Sequence, residues 1–194
     1  MFQVRIHGRG GQGVVTAAEL LSEAAFAEGH HAQAFPSFGS ERTGAPVVAF
    51  CRIADSAIRV REPVMVPDAL IVQDETLLEQ VDVLSGLHSD GYVLINSTRT
   101  FAELGLGDLG VSDRTSGQLL TVPATELALE YLGRAVPNAV LLGAFAAQTY
   151  TVTLESVCDV IRGRFPAKLA EKNCAAAAAA YAIVKSQRKE PADA

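Results

Sequence analysis

Phe2-Gln3-Val4-Arg5-Ile6-His7, then Gly8-Arg9-Gly10-Gly11-Gln12-Gly13, then Val14 to Glu28 is the stretch that decides the fold. The first part alternates, with Val4 and Ile6 apolar, which is the period of a strand. Val14, Ala17, Ala18, Leu21, Ala24 and Ala25 recur at helical spacing, and Gly29 is a good helix stop. Between them, Gly8-x-Gly10-x-x-Gly13 matches G-x-G-x-x-G. Strand, glycine turn and helix open an α/β unit, and that context gives a short motif its weight.

The chemistry of such a turn is specific. Glycine accepts positive φ and lets the backbone approach an anion closely. A helix starting at about Gly11 offers free N–H groups and a positive dipole end to a phosphate. Gly8, Gly10, Gly11, Gln12 and Gly13 form the expected cradle, and Arg9 at the tip adds a charge-assisted contact. A tight turn that only packs would use the same glycines. The dinucleotide form of the motif needs an acid about 20 residues on, at the end of the second strand. That region reads Glu28-Gly29-His30-His31-Ala32-Gln33-Ala34-Phe35-Pro36, and Glu28 falls on the helix before its stop. The missing acid favours a phosphate-bearing ligand other than NAD.

Working outward, His30 to Phe35 reads as a strand and Val47 to Ile53 as a buried one. Ala57 to Arg61 alternates and is expected to pair nearby, which makes the sheet mixed. Asp68 to Asp74, Gly91 to Asn96 and Gln118 to Val122 are further strands. Helices are expected over Thr76–Val83, Ala124–Gly133, Asn138–Tyr150, Leu154–Arg162 and Pro166–Lys185. Six alanines after Cys174 read as a close-packed helix face. The expectation is one α/β, Rossmann-like domain over residues 1–185, its mixed, mainly parallel sheet flanked by helices. Ser186 to Ala194 reads as a polar, disordered tail.

Composition narrows the function. The chain has 194 residues, 49% hydrophobic and 20% charged, with net charge −6, which argues against a nucleic-acid surface. No apolar run reaches the roughly 18 residues a membrane span needs, and the N-terminus lacks a signal-peptide core. Cys51, Cys158 and Cys174 lie far apart without a C-x-x-C pair, which fits a reducing cytoplasm and leaves no four-thiolate metal site. His7, His30, His31 and His88 have no metal-ligand spacing, and Asp68 and Asp74 read as turn or cap residues. No catalytic constellation is legible. Asn96, in the Asn96-Ser97-Thr98 turn, is a candidate ligand contact because α/β clefts open at the carboxyl ends of strands.

Phe35-Pro36-Ser37-Phe38-Gly39-Ser40-Glu41-Arg42-Thr43-Gly44-Ala45-Pro46 is the second unusual segment. It joins apolar rings to Ser, Glu and Arg, which suits a contact surface for a subunit or ligand. Phe35, Ser37, Phe38, Ser40, Glu41, Arg42 and Thr43 are its candidate residues. Phenylalanines that merely plug the core are the alternative.

Residues His7 to Leu21 resemble the start of the gamma subunit of pyruvate:ferredoxin oxidoreductases and related 2-oxoacid oxidoreductases. Ala34 to Val47 resembles the second signature of that family. Val72-Gln73-Asp74, Leu142-Gly143-Ala144-Phe145 and Lys168-Leu169-Ala170-Glu171-Lys172-Asn173 are further matching pieces, in order, from about residue 2 to 185. The resemblance implies oxidative decarboxylation of a 2-oxoacid to an acyl-CoA. It implies thiamine diphosphate and magnesium on alpha and beta subunits, and iron–sulfur clusters carried partly by a ferredoxin-like delta subunit. Coenzyme A, as co-substrate, would sit at or near this chain, with its anionic part at the glycine turn. Pyruvate is the commonest substrate for this signature, phenylglyoxylate and branched 2-oxoacids are others, and the acceptor is ferredoxin or NAD. Two rival readings are a free-standing nucleotide-binding Rossmann-like domain and a non-catalytic assembly module.

Overall fold

The computed structural model describes residues 1–37, 43–107 and 117–189. Strands β1 (Phe2–Arg9), β2 (His31–Pro36), β3 (Pro46–Ala54), β4 (Ala69–Val72), β5 (Tyr92–Asn96) and β6 (Leu119–Val122) form one sheet of order β2-β3-β1-β4-β5-β6. β1, β4, β5 and β6 run parallel, whereas β3 pairs antiparallel with both β1 and β2. The mixed, mainly parallel sheet is the one expected. Helices α1 (Val14–Ala27), α2 (Ala124–Leu132), α3 (Asn138–Thr149), α4 (Leu154–Arg164) and α5 (Ala167–Lys189) follow the helical periods closely.

The faces are covered unequally. Side chains from all five helices join Val4, Ile6, Cys51, Ile71 and Leu94 in the larger core. The other face carries a smaller core of Leu70, Val72, Val93 and Ile95, roofed by Leu77, Val83 and the irregular chain around them. The alanine run does what its size allows. Ala176, Ala177 and Ala180 are buried, and a Cβ on Gly143 would stand 2.1 Å from the Ala177 carbonyl oxygen, so α3 and α5 meet backbone to backbone. Small residues bring the two helices close enough for dispersion to act over their whole contact.

Three local expectations need correcting. Ala57–Arg61 forms no strand. The chain there is held by arginine side chains in place of a neighbouring strand: buried Arg52 donates to the carbonyls of Val60 and Glu62, and buried Arg5 donates to that of Val64. Alternation without a ladder arises because those carbonyls find guanidinium donors. Thr76–Val83 is not an α-helix but a short 3-10 turn, Glu75–Glu79. Arg5 draws the carbonyls of Val83 and Ser85 onto its own guanidinium, which takes the chain out of helical register. The last helix continues to Lys189, into the expected tail. Arg188 explains this, since it donates to the Ala147 and Gln148 carbonyls at the end of α3 and stacks 4.8 Å from the Tyr150 ring centroid. Residues 190–194 lie outside the described chain.

Candidate functional site

β1 and β4 lie side by side, and the connections after them leave in opposite directions, one to β2 at one edge of the sheet and the other to β5 on the opposite side. Such a switch point leaves a crevice at the carboxyl ends of the strands. The glycine turn closes one side of it. Gly11 and Gly13 have φ of 95° and 73°, so two of the turn's glycines are required by the backbone itself. Gly8 is required by space, because a Cβ there would stand 2.6 Å from Val14 Cγ2.

Helix α1 begins at Val14, three residues later than the turn's first expected helical position, with Gly13 as its left-handed N-cap. No side chain caps it and its first turn holds no acid. The amides of Val14, Val15 and Thr16 have no acceptor among the described residues. With Gly10, Gly11 and Val47 these residues line a recess of about 290 Å³.

A second cleft, of about 350 Å³, opens on the other side of the turn. Gln73 and Asp74 enter it after β4, Asn96, Ser97 and Thr98 after β5, and Thr125 and Glu126 from the first turn of α2. Gln12 supplies the wall that belongs to the glycine turn. Asp74 organises this side. It accepts from Arg9 Nε at 3.2 Å, Gln12 Nε2 at 2.9 Å and the Thr76 amide at 3.1 Å. Partial burial pushes its carboxyl up, but hydrogen bonds from Thr76 and Gln12 and the charge of Arg9 outweigh that and hold it below the usual carboxylate range.

Both expected ligand contacts line a cavity, Arg9 the recess and Asn96 the cleft, and both also have partners within the chain. Arg9 does not stand free at the tip of the turn. Its guanidinium donates to Asp74, to the Gly44 carbonyl at 3.0 Å, to Thr76 Oγ1 at 2.6 Å and to Gln80 Oε1 at 3.0 Å. Those acceptors pull it inward, so Arg9 positions the turn against the 3-10 segment. Asn96 also lines the cleft with an engaged amide. It donates to the Gln73 carbonyl at 2.8 Å and Thr125 Oγ1 at 2.7 Å, and accepts from the Thr125 amide at 3.0 Å. Asn96 therefore ties β4, β5 and α2 together.

The two sequence motifs meet. Gly10 pairs with Thr43, its amide donates to the Ala45 carbonyl at 2.9 Å, and the Gly44 amide donates back to the Gly10 carbonyl at 3.1 Å. Phe35 belongs to the sheet more than to the loop. Its ring packs 5.1 Å from that of Phe50, with the Arg52 guanidinium 5.1 Å from its centroid. Ser37 is exposed and its amide reaches the Val48 carbonyl at 2.8 Å. Phe38, Ser40, Glu41 and Arg42 lie outside the described residues.

Sequence reasoning missed Gln73, Thr125 and Glu126, and reduced Asp74 to a cap. Asp74 does cap the 3-10 turn, but it also holds the glycine turn. The available signal was a Gln-Asp pair directly after a short apolar strand, the place where an α/β sheet opens its crevice. Gln73 is fully buried, and neither atom of its side-chain amide has a partner. No group of three or more metal-ligating side chains occurs among the described residues. All three cysteines are buried and unpaired, with the Cys51 thiol pushed up to about 12 by burial, so these residues do not fit an iron–sulfur cluster. No described helix is long and apolar enough to cross a membrane.

The sheet order and the glycine turn at its switch point define a Rossmann-like α/β domain. The chain belongs to the pyruvate ferredoxin/flavodoxin oxidoreductase family, whose model matches residues 3–183, and within it to the gamma chains. It is 48% identical over 185 residues to pyruvate synthase subunit PorC of Methanothermobacter marburgensis, covering 95% of this chain and 98% of that one. It is 47% identical over 181 residues to the common gamma subunit of the pyruvate/ketoisovalerate oxidoreductases of Pyrococcus abyssi, covering 93% and 96%. The crystal structure of the Thermotoga maritima pyruvate oxidoreductase subunit PORC superposes with a TM-score of 0.77 at 35% identity, covering 93% of this chain and 95% of that one. The chain is thus a subunit of a multi-chain oxidoreductase.

Proposed function

We propose that this chain works in a complex that oxidatively decarboxylates a 2-oxoacid, pyruvate first among them, to its acyl-CoA. In this reading alpha and beta subunits hold thiamine diphosphate and magnesium, which supply the carbon chemistry. Iron–sulfur clusters, partly on a ferredoxin-like delta subunit, pass electrons to ferredoxin. This chain's part is to hold coenzyme A by a phosphate and to dock on the alpha and beta subunits.

The observation that carries the proposal is the first turn of α1. Three backbone amides without acceptors among the described residues, with no acid and no side-chain cap in that turn, open into a recess beside two glycines of positive φ. Oriented amides and the positive dipole end favour an anion there. The choice of 2-oxoacid belongs to the thiamine site on other subunits, consistent with a Pyrococcus relative that is described as common to pyruvate and ketoisovalerate enzymes.

Reconstitution tests the reading. The purified chain with pyruvate, thiamine diphosphate, magnesium, coenzyme A and a dye acceptor is expected to stay at background. The complex assembled with the chain should turn over in proportion to coenzyme A, and the complex lacking it should not. Turnover by the single chain, or unchanged coenzyme A use without it, contradicts the proposal.

A further inference from the structure

We infer that strand β2 is a self-pairing edge: two copies of this chain join their sheets there, antiparallel about a two-fold axis that passes between their Gln33 residues. The pairing does not depend on the coenzyme A reading. β2 ends the sheet, and no described residue pairs with its outer side. The Ser37 amide donates to the Val48 carbonyl, one step beyond the Pro36–Ala49 pair, so the odd-numbered residues of β2 exchange hydrogen bonds with β3. The backbone amides and carbonyls of Ala32 and Ala34 therefore point outward. Edges left in solvent are usually guarded by charges, bulges, prolines or covering loops. β2 runs six residues in unbroken register, and residues 29–37 hold no Asp, Glu, Lys or Arg. Pro36, which has no N–H, only ends the edge.

The edge is complementary to itself. With Ala32 opposite Ala34 of the second copy, and the reverse, all four outward amides find a carbonyl. Gln33 then faces Gln33 of the second copy directly across the axis. Its Oε1 is buried without a partner, and the neighbouring Arg52 guanidinium is engaged by Gln3, Val60 and Glu62. A buried carbonyl oxygen left without a donor is costly. Turning each Gln33 amide about its last bond gives that oxygen a donor in Nε2–H of the second copy. On the same face His31 stands opposite Phe35 of the second copy, an aromatic cross-strand pair.

The helix above β2 fits the same geometry. α1 packs over β2 and β3 alike, so its axis lies about half a strand spacing inside β2. Pairing sets the two α1 axes two strand spacings apart, roughly 10 Å, which is the distance of packed helices. Glu19 and Glu23 reach toward Arg164 of α4, which leaves Ser22 and Phe26 on the flank above the edge. Phe26 is the most exposed large apolar side chain among the described residues, at 72%, and the α1 of the second copy covers it.

Sedimentation equilibrium and cross-linking of the purified chain test the pairing. Wild type is expected at twice the 20.4 kDa of one chain at micromolar concentration. Ala34→Pro removes an outward N–H and leaves the bonds to β3 in place, so the dimer dissociation constant should rise about tenfold or more with Tm little changed. Phe26→Glu, at an exposed helix position, should raise it similarly without touching the strand. Gln33→Cys puts two thiols across the axis, where Cα atoms of a non-hydrogen-bonded pair stand about 4.5 Å apart, within reach of a disulfide. The native cysteines are buried, so oxidised glutathione should join two Gln33→Cys chains covalently. His31→Cys, on the same strand but roughly 13 Å from its copy, should stay unjoined. A wild-type mass of one chain, an unchanged dissociation constant in either variant, or His31→Cys joining as fast as Gln33→Cys overturns the pairing.

Discussion

His7 is the residue whose surroundings make the sharpest prediction. It is buried on β1 and accepts from Arg5 Nε at 3.0 Å through its Nε2, so it stays neutral with its proton on Nδ1. Burial first, and the neighbouring Arg5 charge second, push it down to about 4. Unfolded, the same imidazole takes up a proton near 6.5. Between those values the unfolded chain binds more protons, so stability is complete above about pH 6.5 and is lost as pH falls toward 4, by about 3 kcal/mol. Carboxylates such as Asp74, held below their ordinary range, add their loss only at lower pH. Chemical denaturation at pH 7 and pH 4.5 should show the drop for wild type and a much smaller one for His7→Gln, which keeps an acceptor for Arg5. An equal drop in both would assign the acid sensitivity to other groups.

Legibility at this scale followed local chemistry. The glycines of the turn were readable because positive φ and close approach demand glycine at fixed offsets from a strand and a helix. The partners of Arg9 and Asn96 were not, because Asp74, Gln80 and Thr125 come from segments 29 to 71 residues away. A sequence offers a guanidinium or an amide and leaves its acceptors to the sheet order. Gln73 was quoted only as part of a matching tripeptide, since nothing in Val-Gln-Asp reveals that the glutamine will be buried with an idle amide.

Among the elements, α1 and α3 were the most legible, because long apolar periods survive most tertiary contexts. The failures, Ala57–Arg61 and Thr76–Val83, are both places where Arg5 or Arg52 reaches across the sheet to backbone carbonyls. Long-range donors compete there with local hydrogen bonding. The contact of α3 with α5 carries the element-scale prediction. Gly143→Ala places a methyl against the Ala177 carbonyl, which is backbone and can move only if the helices separate. Overpacking of this kind costs about 1–3 kcal/mol, and about 3 is expected here, a fall in Tm of roughly 6–12 °C. Thermal melts of wild type and Gly143→Ala measure it. An unchanged Tm would mean that the helices pack less closely than described.

For the whole molecule, the question is which surfaces the complex covers. The glycine turn and the end of the Phe35–Pro46 segment form one unit through Gly10, Thr43 and Ala45. Ligand binding at the turn and subunit docking at the segment would then be mechanically linked. Hydrogen exchange over Phe35–Pro46 should slow in the assembled complex relative to the free chain, and the amides of Val14–Thr16 should slow further on adding coenzyme A. Equal exchange of the segment in both states would remove it from the interface.

The phosphate site at α1 is the centre of the account, and Thr16→Asp tests it most directly. Thr16 lies in the first turn of α1, which holds no acid, and lines the recess. An aspartate there complements the helix dipole, worth about 0.3–1 kcal/mol, so Tm should hold or rise. The same charge should repel a phosphate from the recess. Titration of the assembled complex with coenzyme A is predicted to show affinity about tenfold weaker or worse for Thr16→Asp, with assembly and Tm intact. Undiminished affinity in a stable, assembled Thr16→Asp complex would contradict the phosphate site.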